Sequence, residues 1–372
     1  MMTAPPVRRV LLTADTVGGV WTYALELART LAERGVDVCL ATMGAPLDRA
    51  RRREVDAVRG AELREHTGRL EWMAGAWDDV DAAGAWLLEL ERELGPDVVH
   101  LNQFAFGALP WRSPALVVGH SCVWSWWHAV HGCAPPAEWE RYRSRVRAGL
   151  AGADLVVAPT RTMLRALETH YGPLGAAAVI PNGRDPRRFA SGRKDDLVLA
   201  VGRLWDEAKN VAALARAAQG LDWPVYVAGE VRHPDGRTAG LPGLRPLGPL
   251  APPVVARWMR RASVYAHPAR YEPFGLSVLE AALAGCALVL GDIPSLRELW
   301  DGAALFAPPD DVDALRAALR TLTRRTELRE SLAARAARRA GEHTVDRFGD
   351  AYLAAYAWLG ARAAIGGLAC AS

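Results

Sequence analysis

Twice in this chain an apolar run gives way to a glycine and then to a helix, and that alternation restricts the fold to layered α/β architectures. The first instance starts at Val10-Leu11-Leu12, passes Thr13-Ala14-Asp15 and Gly18-Gly19, and becomes a helical pattern from Trp21 to Arg34 closed by Gly35. Val36 to Ala41 reads as the next strand, so strand, turn, helix and strand make a βαβ unit with a parallel sheet. The pattern restarts at Leu197 to Val201, followed by Gly202-Arg203-Leu204. With 372 residues, 51% of them hydrophobic, the chain can bury two cores.

Between these starts the spacing predicts an exposed charged helix over Asp48–Arg64, a helix from Asp81 to Leu94, and strands at Asp97–Asn102, Leu116–Gly119 and Asp154–Pro159. A short strand at Val179-Ile180 ends at Pro181-Asn182-Gly183. Residues 1–183 are therefore read as the first domain, and 184–196, polar with Pro186 and Gly192, as a linker. Residues 197–345 form the second domain and 346–372 carry a terminal helix from Phe348 to Leu359.

Several function classes drop out. A net charge of +3 without a basic tail gives no reason to expect nucleic acid. No G-x-G-x-x-G or G-K-[ST] occurs, which disfavours dinucleotide enzymes and P-loop NTPases. Cys39, Cys122, Cys133, Cys286 and Cys370 are scattered and odd in number, which fits a reducing cytosol rather than a disulfide framework or zinc site. No segment reaches membrane-spanning length, so the expectation is a cytoplasmic protein with at most peripheral contact at the inner membrane face. Asp79-Val80-Asp81 and Asp311-Val312-Asp313 each precede a helix, where Asp serves as a cap, so no metal is expected.

The chemistry concentrates in Ala266–Gly285, AHPARYEPFGLSVLEAALAG. Pro273 suits the first turn of a helix, Gly275 admits a ligand close to the backbone, and the helix from about Leu276 aims its unpaired N–H groups at the loop. Such a terminus binds phosphate. Glu272 and Glu280 frame it, and because carboxylates repel phosphate they more naturally meet hydroxyls. Hydroxyls, phosphates and hydroxyls in sequence describe a nucleotide sugar. The plainer alternative is a helix Glu favouring the dipole and an ordinary loop Glu.

EPFGLSVLEAALAGCALV resembles the signature of retaining glycosyltransferases of family 4 (glycosyl transferases group 1), the GRLWDEAKN segment resembles that family's Gly-Arg…Lys pattern, and Ile180-Pro181-Asn182-Gly183 resembles its domain-closing turn. The resemblance implies the GT-B fold: two Rossmann-like domains with parallel sheets facing a central cleft. It implies that Glu272 contacts the donor sugar, that Glu280 holds the nucleotide ribose, and that the amides of Phe274, Gly275 and Leu276 cradle the distal phosphate. Arg203 and Lys209 would neutralise the diphosphate, with Gly18 and Gly19 at the donor as well. Lys209 is one of only two lysines, beside Lys194. A surface pair at a helix start is its alternative role. The loop Glu230 to Gly236 would border the base.

His120 follows an apolar run, where α/β sheets place ligand contacts, and in the resembled family a His here reaches the transferred sugar; a hydrogen-bonded structural His is the alternative. Trp124, Trp126 and Trp127 suit stacking on an acceptor ring, or core packing and loop anchoring. Arg49, Arg51, Arg52 and Arg53 form either a lipid-headgroup contact or a solvated face. The implied activity is metal-independent, retaining transfer from a nucleotide-diphosphate sugar to a saccharide, lipid or small-molecule acceptor, without a resident cofactor. A GT-B nucleotide-sugar epimerase would bind the same donor, and a non-catalytic subunit would lose the donor contacts.

Overall fold

A computed structural model describes residues 7–16, 18–232 and 240–369, with side chains through residue 363. These divide into two compact units: the described residues up to Ser125, Ala134–Gly183 and those from Val345 on form one; Trp126–Cys133 and Arg184–Thr344 form the other.

The first unit carries strands β1 (Arg9–Asp15), β2 (Asp37–Gly44), β3 (Ala61–Thr67), β4 (Val98–Leu101), β5 (Ala115–Val118), β6 (Leu155–Ala158) and β7 (Ala177–Val179). They form one parallel sheet in the order β3-β2-β1-β4-β5-β6-β7. Helices cover both faces, which explains why β1 is a continuous apolar run instead of an alternating one. The period of two still sorts its side chains. Leu11 packs with Val99, Val117 and Val156 on one face, while Val10 and Leu12 join Leu116, Val118 and Val157 on the other. That second face is closed by the terminal helix Val345–Ala369 through Phe348, Tyr352, Tyr356 and Leu359. Gly349 sits where an added Cβ would lie 2.0 Å from Thr30 Cγ2, so its missing side chain lets this helix lie against the helix Gly19–Glu33.

The second unit carries β8 (Asp195–Val201), β9 (Val225–Ala228), β10 (Arg245–Gly248), β11 (Ala262–His267), β12 (Ala287–Gly291) and β13 (Ala304–Ala307). Its parallel sheet has the order β10-β9-β8-β11-β12-β13. Lys194 spans two helix ends here, donating to Met259 O at 3.2 Å and Ala284 O at 2.7 Å, where carbonyls lack intrahelical partners. In both sheets the order reverses beside the first strand, at β1/β4 and at β8/β11. Ligands of open α/β sheets bind beyond the carboxyl ends of strands at such switch points.

Several sequence expectations are corrected. Asp48–Arg64 is not one helix: a short helix, Arg49–Asp56, precedes the edge strand β3. Of its arginines, Arg51 donates to Thr16 O and lies over the Trp21 ring, and Arg52 pairs with Glu65. The tryptophan-rich stretch is a helix, Val123–His131, and Trp126–Cys133 group with the second unit rather than the first domain, with Trp126 Nε1 3.3 Å from Asp206 Oδ1. The linker 184–196 is structured at both ends, because Arg184 bridges Thr344 and Asp195 opens β8. The terminal helix is longer than Phe348–Leu359 at both ends. Within the loop Glu230–Gly236, residues from 233 on lie outside the described residues.

Candidate active site

The strand ends β8 and β11 of the second unit bring together the residues with the most to do. The helix Leu276–Leu283 is entered through Gly275 at φ 86°, a left-handed conformation that glycine adopts without strain. Pro273 stands two residues before this cap, not in the first helical turn, because the chain must first make the left-handed bend at Gly275. No side chain caps the helix and its first turn holds no acidic residue, so its leading amides remain available to an anion. The Phe274 side chain is core: it is 3% exposed and meets His343 edge-on at 5.7 Å.

Glu272 lies just ahead of that terminus. Its Oε2 accepts from Lys209 Nζ at 2.7 Å and lies 3.0 Å from His267 Nε2. Burial alone would push this carboxyl up, but the Lys209 ammonium and the His267 hydrogen bond outweigh it and hold it well below the usual carboxylate range. Glu272 is therefore an anion at physiological pH, an acceptor of hydroxyls rather than a proton donor. Lys209 reaches it because Asn210, at φ 56°, ties the two loops: Asn210 Nδ2 donates to Pro268 O at 3.0 Å and Pro309 O at 2.7 Å. Arg270 Nη1 completes the knot at Asn210 Oδ1, 2.6 Å away.

Arg203 is turned to Asp206, with Nη2 3.0 Å from Oδ2, and rests over Trp205 at 5.3 Å. Leu276 opens the helix, and Glu280, one turn in, is paired with Arg184 Nε at 2.9 Å; both side chains are largely buried. Gly202 and Gly229 let the two neighbouring strand ends touch, since a Cβ on Gly229 would sit 1.7 Å from Gly202 O. Trp126 and Trp127 are half-buried in this unit, 6.0 Å apart and edge-on.

In the first unit, Gly18 caps the helix Gly19–Glu33 at φ 71°. His120 follows β5 and Nε2 lies 2.7 Å from Asn102 Oδ1. Asn102 donates its own Nδ2 to Thr13 O, so Oδ1 can only accept. The His120 proton therefore sits on Nε2 and Nδ1 carries a lone pair. Burial lowers this imidazole to about 3, so it is neutral and serves as a hydrogen-bond acceptor. Tyr23 packs edge-on against the ring at 4.4 Å. Asp15, at the end of β1, takes bonds from Gln103 Nε2 and Trp72 Nε1; burial nonetheless pushes it up to about 6. Trp124 is 6% exposed, stacked under Arg143 in the core.

Lys209 and Glu272, both marked by motif spacing in the sequence, meet. His267, Asn210, Arg184 and Asn102 carry no such mark, and their contacts with Glu272, Pro268, Glu280 and His120 come from the fold. His267 stood in plain view five residues before Glu272, but only the strand-to-helix turn folds it back onto the carboxylate.

Residues 17–188 match Glycosyltransferase Family 4 and residues 195–325 match Glycosyl transferases group 1. A D-inositol 3-phosphate glycosyltransferase of Geodermatophilus obscurus is 30% identical over 92% of this chain and 85% of its own length. The phosphatidyl-myo-inositol mannosyltransferase of Mycolicibacterium smegmatis is 36% identical over 45% of this chain, a match spanning 48% of that relative. Among solved structures, Anabaena HepE in complex with UDP-glucose is similar at a TM-score of 0.73, with 17% identity over 93% of this chain and 98% of that one, a likeness of fold. Family matches that run through both units, and a relative alike along most of both chains, lead to one conclusion: the chain belongs to glycosyltransferase family 4 and is a glycosyltransferase of the GT-B fold.

Proposed function

We propose that the chain transfers a hexose from a nucleoside-diphosphate sugar to an acceptor hydroxyl, with retention at the anomeric carbon and without a metal ion. The observation that carries this reading is the grouping of Lys209, an ionised Glu272 and an uncapped helix N-terminus at one strand end. Glu272 orients the sugar through its hydroxyls and is not a nucleophile. The bond between the anomeric carbon and the distal phosphate oxygen breaks, the acceptor oxygen bonds to the same face, and the acceptor proton passes to the departing phosphate. Lys209, Arg203 and the amides of Phe274 to Leu276 offset the charge that develops on the diphosphate. Glu280, steadied by Arg184, meets the ribose. Gly18, Gly19 and the bare Nδ1 of His120 take up further donor contacts, and Trp126 and Trp127 flank the acceptor.

Metal independence is supported by where the paired aspartates go. Asp79 accepts from Arg69 N, Asp81 pairs with Arg145, Asp311 caps a helix at Ala314 N, and Asp313 pairs with Arg316. For the acceptor, the two relatives are named for inositol phosphate and phosphatidyl-inositol, so a cyclic polyol, free or lipid-borne, heads the candidates. No helix among the described residues is long and apolar enough to cross a membrane.

The test is incubation with UDP-glucose or GDP-mannose and inositol phosphate, with and without EDTA, and assignment of the product anomer by NMR. An α-linked product at a rate unchanged by EDTA is expected. A β-linked product would contradict retention, and abolition by EDTA would contradict metal independence.

A further inference from the structure

His267 closes β11, the strand between β8 and β12, and is 3% exposed. Because Glu272 is ionised and accepts only, the ring nitrogen 3.0 Å from its Oε2 must carry the proton. Lys209 donates to that same oxygen. Oε1 has no donor among the described residues, and the Glu272 side chain retains 13% exposure. Behind the carboxylate, Ser295 Oγ donates to the Glu272 carbonyl, so backbone and side chain are both anchored.

Lys209 cannot serve two anions equally. A diphosphate carries more charge than one carboxylate and draws the ammonium toward itself. Once Lys209 turns, a largely buried carboxylate would be left without a donor, which is costly unless another remains. His267 is that remaining donor.

We infer that His267 is a positioning residue for the donor sugar: it pins Oε2 of Glu272, so that Oε1 stays presented to the sugar's hydroxyls while Lys209 engages the diphosphate. The inference rests on the nucleotide-sugar reading above. It assigns different parts of the donor to the two partners of Glu272. Lys209 serves nucleotide and nucleotide sugar alike, whereas the orientation that His267 gives to Oε1 adds a contact only when the sugar is attached.

The experiment is calorimetric titration of UDP, UDP-glucose, GDP and GDP-mannose into wild type, His267→Ala and His267→Gln, with thermal melts to establish folding. In His267→Ala the nucleotide sugar should weaken about 10- to 100-fold, the range of one charge-assisted hydrogen bond, and clearly more than the free nucleotide, which loses only the support that His267 gives the carboxylate once Lys209 turns. His267→Gln, whose amide can donate from nearly the same place, should recover most of that loss. Should His267→Ala fail to fold, His267→Asn, whose amide stops short of Oε2, takes its place with the same expectation. A folded variant that binds the nucleotide sugar as wild type does, or that loses nucleotide and nucleotide sugar equally, overturns the positioning role. Failure of the wild type to bind any of the four probes is a different result: it removes the donor reading itself, and this inference with it.

Discussion

Glu272 and Asp15 are both largely buried carboxylates beyond strand ends, and their neighbours drive their protonation in opposite directions. Glu272 has an ammonium at 2.7 Å, whereas the donors to Asp15 among the described residues are the neutral Gln103 and Trp72. Attraction wins at the first and desolvation at the second, which is pushed up to about 6 from an ordinary 3.8. Because the folded value lies above the unfolded one, Asp15 favours the fold most when protonated. That contribution is complete below the unfolded value and is lost as pH rises through the folded one. Asp15→Asn removes the titration. The unfolding free energy of the variant relative to wild type should therefore shift in the variant's favour by about 1–3 kcal/mol between pH 4 and pH 8 in urea titrations. A difference that stays flat across that range would mean Asp15 ionises in the fold as it does in water. At this scale the sequence pointed by motif spacing to Lys209 and Glu272, which the fold brings within 2.7 Å of each other. It was silent where the role comes from a partner far along the chain. Arg184 meets Glu280 across 96 positions, and Asn210 reaches Pro268 and Pro309, so neither bond leaves a local trace.

The turn from β11 into the helix Leu276–Leu283 shows how an element holds a site. A Cβ on Gly275 would lie 3.1 Å from Val278 Cγ2 and 3.3 Å from Glu272 Cγ, on a backbone at φ 86°. Gly275→Ala should thus lower stability by about 1–3 kcal/mol through backbone strain. It should also displace Glu272 and weaken nucleotide-sugar binding at least fivefold, measured by urea denaturation and calorimetry on the same sample. Wild-type binding in the variant would show that the turn does not need its left-handed cap. The elements that the sequence misassigned or left unassigned were obscured for physical reasons. β3, AELREHT, mixes half-buried and exposed positions at a sheet edge, where charge blunts pairing with other chains; read alone, that charge looks like an exposed helix. β10, RPLG, contains a proline that only an edge strand tolerates. Val123–His131 was hidden by its aromatic density, which says nothing about backbone conformation.

Across the whole molecule the same plan is used twice: a parallel sheet buried on both faces, reversing its order beside its first strand. Repeated strand–glycine–helix spacing made this plan the most legible feature of the sequence, since both-face burial forces long apolar runs and short loops. The division of labour was less legible, because it depends on which strand ends gather charge. In the second unit, β8 and β11 gather Lys209, His267 and Glu272. In the first, β1 and β5 end at Asp15 and the neutral His120. If the second unit is the donor-binding half, nucleotide sugars should stabilise the protein through it. Thermal melts of wild type and Lys209→Ala against UDP-, GDP-, ADP- and TDP-sugars in EDTA test this most directly. A ligand at ~100 times its dissociation constant adds about 2.7 kcal/mol of stability. One nucleotide series should raise the wild-type melting temperature and do so far less in Lys209→Ala. An equal rise in both proteins, or no rise with any sugar nucleotide, would contradict a diphosphate site at Lys209.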